Sequence, residues 1–173
     1  MPSDPRASDH KALFGDALGS AQVSDKREDL VFYGQDLCKE FYSGASLVLF
    51  PREHEQVLRI LRICNDRRIP VVPSGGRTGY SGGATAQNGE VILSLERMNK
   101  LLEINKVERT ATCQAGMTTQ NLSRKVSDRG LSFPVDLASK GSSQIGGNIA
   151  TNAGGIRVIR HGNIREWVLG LRA

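Results

Sequence analysis

The stretch Pro73-Ser74-Gly75-Gly76-Arg77-Thr78-Gly79-Tyr80-Ser81-Gly82-Gly83 places five glycines within nine residues. Short apolar segments flank it, Pro70-Val71-Val72 before and Val91-Ile92-Leu93-Ser94-Leu95 after, and both read as strands. Glycine lacks a Cβ, so such a loop takes positive φ freely and lets a ligand approach the main chain. Successive N–H groups in a tight turn form a concave nest for anions, phosphate above all. The competing reading is an ordinary glycine-rich hairpin. The loop alone does not separate the two.

Upstream, Ser46-Leu47-Val48-Leu49-Phe50-Pro51 is an apolar run stopped by proline, which predicts a buried strand. Glu53 to Arg68 follows with Val57, Ile60, Leu61 and Cys64 on one helical face. Ile69 to Pro73 is a second strand. Strand, helix, strand and glycine loop make a βαβ unit, with parallel strands and a right-handed crossover expected. Residues 1–45 read as an N-terminal extension. They are polar to about Gly19, with a short amphipathic stretch from His10 to Leu18 that predicts a helix or a flexible arm. Ser24 to Phe41 has no clear period.

Downstream, Glu90 to Leu95 predicts a strand, and Leu101–Asn105 and Thr110–Ala115 a pair around the polar turn Lys106–Arg109. Thr118 is placed to cap a helix running to Asp128, with Leu122 and Val126 on its apolar face and Gly130 beyond its end. A second glycine cluster spans Gly141 to Gly155, again with five glycines and few bulky side chains. Backbone here packs closely against something, either a ligand or a neighbouring element. Two such clusters around one α/β unit favour the ligand. The end, Trp167 to Ala173, reads as a strand just starting, as if the sequence were cut short.

Composition bounds the function. The 173 residues are 39% hydrophobic and 24% charged, enough for one globular domain with a real core. Glycine is in excess at 19 residues beside 6 prolines, which points to tight turns rather than disorder. The net charge of +5 is dispersed, and no basic run is interleaved with aromatics, so nucleic acid is not expected as a partner. Cys38, Cys64 and Cys113 form no C-x-x-C, and the three histidines have no ligand spacing, so neither a disulfide framework nor a metal site is expected. No signal peptide or transmembrane run is visible, and a cytoplasmic protein is expected.

Several nucleotide and nucleophile motifs are excluded. No two glycines are separated by one residue, so G-x-G-x-x-G is absent. No P-loop occurs either. Gly79-Tyr80-Ser81-Gly82-Gly83 matches G-x-S-x-G, but a nucleophile elbow needs a helix after the serine and partners further on. A strand follows instead, and His161 is the only later histidine.

In combination, Pro73–Gly83, Met98-Asn99, Gln114-Ala115-Gly116, Phe133-Pro134-Val135-Asp136 and Gly141–Gly155 resemble the FAD-binding domain of the vanillyl-alcohol oxidase / PCMH flavoprotein superfamily. The nearest group is the FAD-linked D-2-hydroxyacid dehydrogenases, which includes D-2-hydroxyglutarate and D-lactate dehydrogenases and the glycolate oxidase FAD subunit. The resemblance covers about Ser46 to Leu171. It implies an α+β, two-subdomain PCMH-type fold: a small βαβ subdomain followed by the start of a mixed or antiparallel sheet. Residues 46–173 would be this domain, without the substrate or cap domain.

The resemblance also implies site roles. Backbone N–H groups from Ser74, Gly75, Gly76, Arg77, Thr78 and Gly79 would cradle the FAD pyrophosphate, with Pro73 before them and Gly82 and Gly83 beyond also counted as cofactor-binding. Gly141, Ser142, Ile145, Gly146, Gly147 and Asn148 would line the other side of the cofactor. Thr151, Asn152 and Gly154 would follow near the isoalloxazine end, and Pro134 and Asp136 would contact it from the preceding loop. A turn or cap role is the alternative for Asp136. In several members a histidine after the glycine pair is covalently bound to flavin. Arg77 stands there in this sequence, which implies non-covalent FAD. The implied substrate is a small 2-hydroxyacid, oxidised to the 2-oxoacid, with an unknown electron acceptor and a homo-oligomer possible. No catalytic residue is assigned, because the family places the base and the carboxylate-binding cations in the cap domain. His161 reads as a loop histidine. A non-catalytic nucleotide-binding module, or an alcohol or sugar oxidase on the same domain, are the other readings.

Overall fold

A run such as Leu47-Val48-Leu49, apolar on both faces, is stable only as a strand covered from both sides. The computed structural model describes residues 5–38 and 40–172, and the remaining parts of the 1–45 and 46–173 ranges lie outside the described residues. Contacts gather into two units, Met1–Arg97 and Met98–Ala173.

The first unit is built on four strands: β1 (Val23–Ser24), β2 (Leu47–Leu49), β3 (Val71–Ser74) and β4 (Val91–Ser94). Their order is β1-β2-β4-β3. β2 and β3 both run parallel to β4, and β1 is antiparallel to β2. The helices are α1 (Pro5–Leu18), α2 (Arg27–Tyr33) and α3 (His54–Arg67). Alternation along β2 sends Leu47 and Leu49 into one core, with Phe14, Leu18, Ile60, Cys64, Val91 and Leu93. It sends Val48 into another, with Phe50, Ala86 and Ile92, where Leu30 and Tyr33 of α2 pack.

The expected parallel βαβ forms, with β4 lying between its two strands, a position the sequence reading left unspecified. Because β3 and β4 are parallel, the glycine-rich loop is no hairpin: it is a crossover without a helix. The first 45 residues hold a helix, as one of the two alternatives predicted, and its Phe14 is 0% exposed inside the first core. Fully burying a phenylalanine contributes about 1.5–3 kcal/mol.

The second unit holds the antiparallel pair β5 (Leu101–Asn105) and β6 (Thr110–Cys113). The Asn105 carboxamide oxygen accepts from the N–H groups of Val107 and Glu108 and closes the turn between them. α4 (Thr119–Ser127) starts at Thr118, whose hydroxyl accepts from the Asn121 N–H at 3.3 Å. α5 (Ile145–Ala150) and α6 (Val158–His161) follow. Met117, Leu122, Val126 and Ile145 form the core, with Leu101, Ile104 and Ile149 against it. No strand forms over 168–172, where a starting strand was expected; a 3-10 turn over Ile164–Trp167 precedes this segment.

Candidate functional site

β3 ends at Ser74, and its 0% exposed hydroxyl donates to the Tyr33 carbonyl at 2.8 Å. The chain then leaves the sheet at the carboxyl end of a parallel strand, where open α/β sheets place their ligands. The N–H groups of Gly75, Gly76, Arg77, Thr78 and Gly79 have no hydrogen-bond acceptor among the described residues. Five successive donors in one solvent-accessible loop, none of them used within the described residues, are open to a ligand. They fit an anion such as a diphosphate.

The rest of this loop is held from behind. The Leu37 N–H donates to the Gly79 carbonyl at 2.9 Å, and Ala86 donates to Gly34 at 3.0 Å. The buried Asp36 carboxylate accepts from the Cys38 N–H at 2.9 Å, and the Asp36 N–H donates to Thr85 Oγ1 at 3.3 Å. Gly82 has φ +74°, and a Cβ there would stand 2.6 Å from the Phe41 ring. Gly83 has open space around it. Ser81 is exposed in a loop, not on a strand-to-helix turn, so the G-x-S-x-G match makes no nucleophile elbow.

Arg77 has φ 56°, which costs a non-glycine residue about 1–2 kcal/mol. Its guanidinium carbon lies 4.3 Å from the Phe32 ring centre and 4.8 Å from that of Tyr33, and Nη1 donates to the Gly75 carbonyl at 3.0 Å. Each stack contributes about 0.5–2 kcal/mol, so two together offset the strain. Burial draws the Arg77 pKa below its ordinary value. The Tyr33 hydroxyl donates to Glu96 Oε1 at 2.7 Å; burial, then that hydrogen bond, push its pKa up to about 12.

In the second unit the glycine cluster divides into two kinds of position. Gly146 is structural: its N–H donates to the Ala115 carbonyl at 2.8 Å, and a Cβ would lie 2.8 Å from that of Ala115. Ile145 donates to the Met117 carbonyl and buries its side chain in the core. Gly147 is exposed with nothing within 4 Å of a Cβ, and its N–H, like that of Gly141, has no acceptor among the described residues. Ser142 is exposed beside Gly141. Behind them, Asn148 Nδ2 donates to Thr119 Oγ1 at 2.7 Å, and Thr119 Oγ1 is 2.8 Å from Ser143 Oγ. The buried Gln144 Oε1 has no donor. This unit therefore offers open backbone donors above a rigid, buried polar support.

Thr151 Oγ1 donates back to the Gly147 carbonyl at 3.0 Å. Asn152, at φ 52°, accepts from the Arg165 N–H. Gly154 packs against Asn163, where a Cβ would stand 2.6 Å from Oδ1. Pro134 is buried. Asp136 pairs with Lys140 at 2.9 Å and Arg157 at 3.5 Å, and the Lys140 hydrogen bond leads in holding its pKa below the ordinary value. Its carbonyl accepts from the Ile156 N–H. Asp136 thus ties its loop to residues 155–157. The Trp167 indole donates to the His161 carbonyl, and no metal-ligating cluster exists among the described residues.

Sequence reasoning missed Phe32, Tyr33, Asp36, Thr119 and Ser143. The first three sit in a segment without clear periodicity, and Thr119 and Ser143 are ordinary polar residues until the fold buries them.

The FAD binding domain family matches residues 45–173. The D-2-hydroxyglutarate dehydrogenase of Stutzerimonas stutzeri (strain A1501) is 52% identical over 87% of this chain, and the match covers 32% of that protein. The probable mitochondrial D-2-hydroxyglutarate dehydrogenase of Oryza sativa subsp. japonica is 41% identical over 95% of this chain and 29% of its own length. The chain thus spans about a third of the length of the curated relatives it matches. Among solved structures, alkyldihydroxyacetonephosphate synthase has TM-score 0.83 at 22% identity, covering 94% of this chain and 32% of that one. p-Cresol methylhydroxylase with substrate bound has TM-score 0.71 at 25% identity, covering 88% and 31%. Both likenesses support the α+β, PCMH-type fold. With a family match over most of its length and free backbone donors in both glycine clusters, the chain belongs to the FAD binding domain family.

Proposed function

We propose that this chain is the FAD-holding part of a dehydrogenase that oxidises a D-2-hydroxyacid, D-2-hydroxyglutarate foremost, to the 2-oxoacid. The observation that carries the reading is 52% identity, over 87% of the chain, to a protein named for that activity. When bound, FAD supplies the hydride acceptor, and the protein supplies binding, orientation and electrostatics. The free N–H groups of residues 75–79 take the anionic diphosphate, since successive backbone N–H groups in a turn form an anion-binding concavity. Within the second unit, Gly141 and Gly147 keep free N–H donors, and the Asn148–Thr119 hydrogen bond steadies α5. Gly146, Ile145, Gly154 and Asp136 act as supports.

FAD is held without a covalent bond. Arg77 offers no nucleophilic imidazole, and no histidine falls within either glycine cluster. Flavin should therefore leave with the supernatant after acid precipitation, and flavin retained in the pellet contradicts this. No helix among the described residues is long and apolar enough to cross a membrane. We place the protein in the cytoplasm, the bacterial relatives carrying no organelle in their names. The relatives of Oryza and Arabidopsis are named mitochondrial.

The substrate is tested by anaerobic bleaching of the flavin-loaded chain joined to the remaining two-thirds of the Stutzerimonas stutzeri relative, with D-2-hydroxyglutarate, D-lactate and glycolate in parallel. D-2-hydroxyglutarate should bleach it fastest. A flavin that no 2-hydroxyacid reduces overturns the dehydrogenase reading and leaves a binding module.

A further inference from the structure

The family match begins at residue 45, yet the first glycine-rich loop is braced by residues before it. Ser74 donates to Tyr33, Ala86 to Gly34, and Leu37 to Gly79. Phe32 and Tyr33 also carry the Arg77 guanidinium between 4.3 and 4.8 Å from their ring centres. The two rings meet edge to face, with centroids 5.0 Å apart, and Tyr33 makes a second such contact with buried Phe50 at 4.9 Å.

We propose that Phe32 and Tyr33 are positioning residues for the FAD diphosphate loop, acting through the cation–π stack that latches Arg77 in its left-handed conformation. Arg77 sits in the middle of the five unpaired donors, between Gly76 and Thr78. Its φ of 56° is what turns the chain there, and a non-glycine residue holds that value only when something fixes it. Both partners of the stack come from α2, so the loop's shape is set from outside the matched family segment. The guanidinium is committed to the rings and to the Gly75 carbonyl. It therefore acts on the ligand through the backbone rather than by touching phosphate. The inference rests on the assignment of this loop to FAD.

The test is a double-mutant cycle on FAD affinity in the full 173-residue chain, read by flavin fluorescence, with Phe32→Ala, Arg77→Gln and the pair. Phe32 is 59% exposed, so its truncation removes one of the two stacks while sparing the core. Phe32→Ala should weaken FAD about tenfold, the size of one such stack, Arg77→Gln should weaken it further, and the double should be no weaker than Arg77→Gln alone. The salt dependence of FAD affinity should stay the same in Arg77→Gln. Additive losses, or a flattened salt dependence, overturn the proposal, because Arg77 would then touch the cofactor itself. A ligand-free arm separates this failure from that of the FAD reading. Trypsin should cut after Arg77 about tenfold faster in Phe32→Ala than in the unsubstituted chain, the latch energy being lost. An unchanged cleavage rate overturns the latch whether or not FAD binds. A chain that binds no FAD but shows the faster cleavage keeps the latch and removes its cofactor role.

Discussion

Asn148 on α5 donates to Thr119 on α4 at 2.7 Å, and Thr119 Oγ1 also lies within hydrogen-bond distance of both the Ser143 carbonyl and its hydroxyl. All three residues are at least nine-tenths buried. A glycine-rich segment has little side-chain packing to hold it, and this polar chain replaces that packing. It fixes the start of α5, where the free Gly147 donor sits.

Thr119→Val removes the acceptor and leaves the Asn148 amide buried without a partner. Stability should fall by about 1–3 kcal/mol, the cost of an unsatisfied buried polar group. Urea unfolding followed by circular dichroism measures it. Thr119→Ser keeps the oxygen and should recover most of the loss.

Adjacent glycines should respond in opposite ways. Gly146→Ala drives a Cβ to 2.8 Å from that of Ala115, so it should destabilise by about 1–3 kcal/mol. Gly147→Ala meets nothing within 4 Å and improves helix propensity, so it should be neutral or stabilise by up to about 1 kcal/mol. On the proposed reading FAD affinity should nonetheless fall in Gly147→Ala, because the methyl would stand beside the open N–H donor offered to the cofactor. Thermal unfolding and FAD titration of both variants separate the two effects.

The glycine clusters were legible because Gly75-Gly76 and Gly146-Gly147 have few uses other than turns and close approach. The strands around Leu47–Leu49 and Val91–Ser94 were legible from apolar runs bounded by proline and glycine. The sheet order was not. Nothing local in the sequence records that β4 inserts between β2 and β3, since pairing across a sheet is a long-range choice. The split between structural Gly146 and open Gly147 was equally hidden, because it depends on where Ala115 lies. The role of α2 escaped because Val31, Phe32 and Tyr33 show no period when the ring contacts to Arg77 are unknown.

Tyr33 should titrate late. Its pKa is raised from 10.0 to about 12 by burial and by its hydrogen bond to Glu96. The neutral hydroxyl is the form the fold favours, so its contribution to stability is fully present below pH 10.0 and lost as pH rises through about 12. Tyrosinate absorbance should show one late step that vanishes in Tyr33→Phe and moves to lower pH in Glu96→Gln.

Asp136 gives the opposite sign. Lys140, then Arg157, hold its carboxyl below the ordinary value of 3.8, so its stabilising effect is present above that value and lost as pH falls through the lower folded one. Asp136→Asn should lower stability at neutral pH and flatten the acid limb of the unfolding profile below about pH 4. An acid limb identical to that of the unsubstituted chain counts against the pairing.

Equilibrium titration of the 173-residue chain with FAD, followed by acid precipitation, tests the central claim most directly. The account predicts saturable binding with quenched flavin fluorescence, weakened by Gly147→Ala, and all of the flavin in the acid supernatant. A folded chain that leaves FAD fluorescence unchanged at every concentration contradicts it.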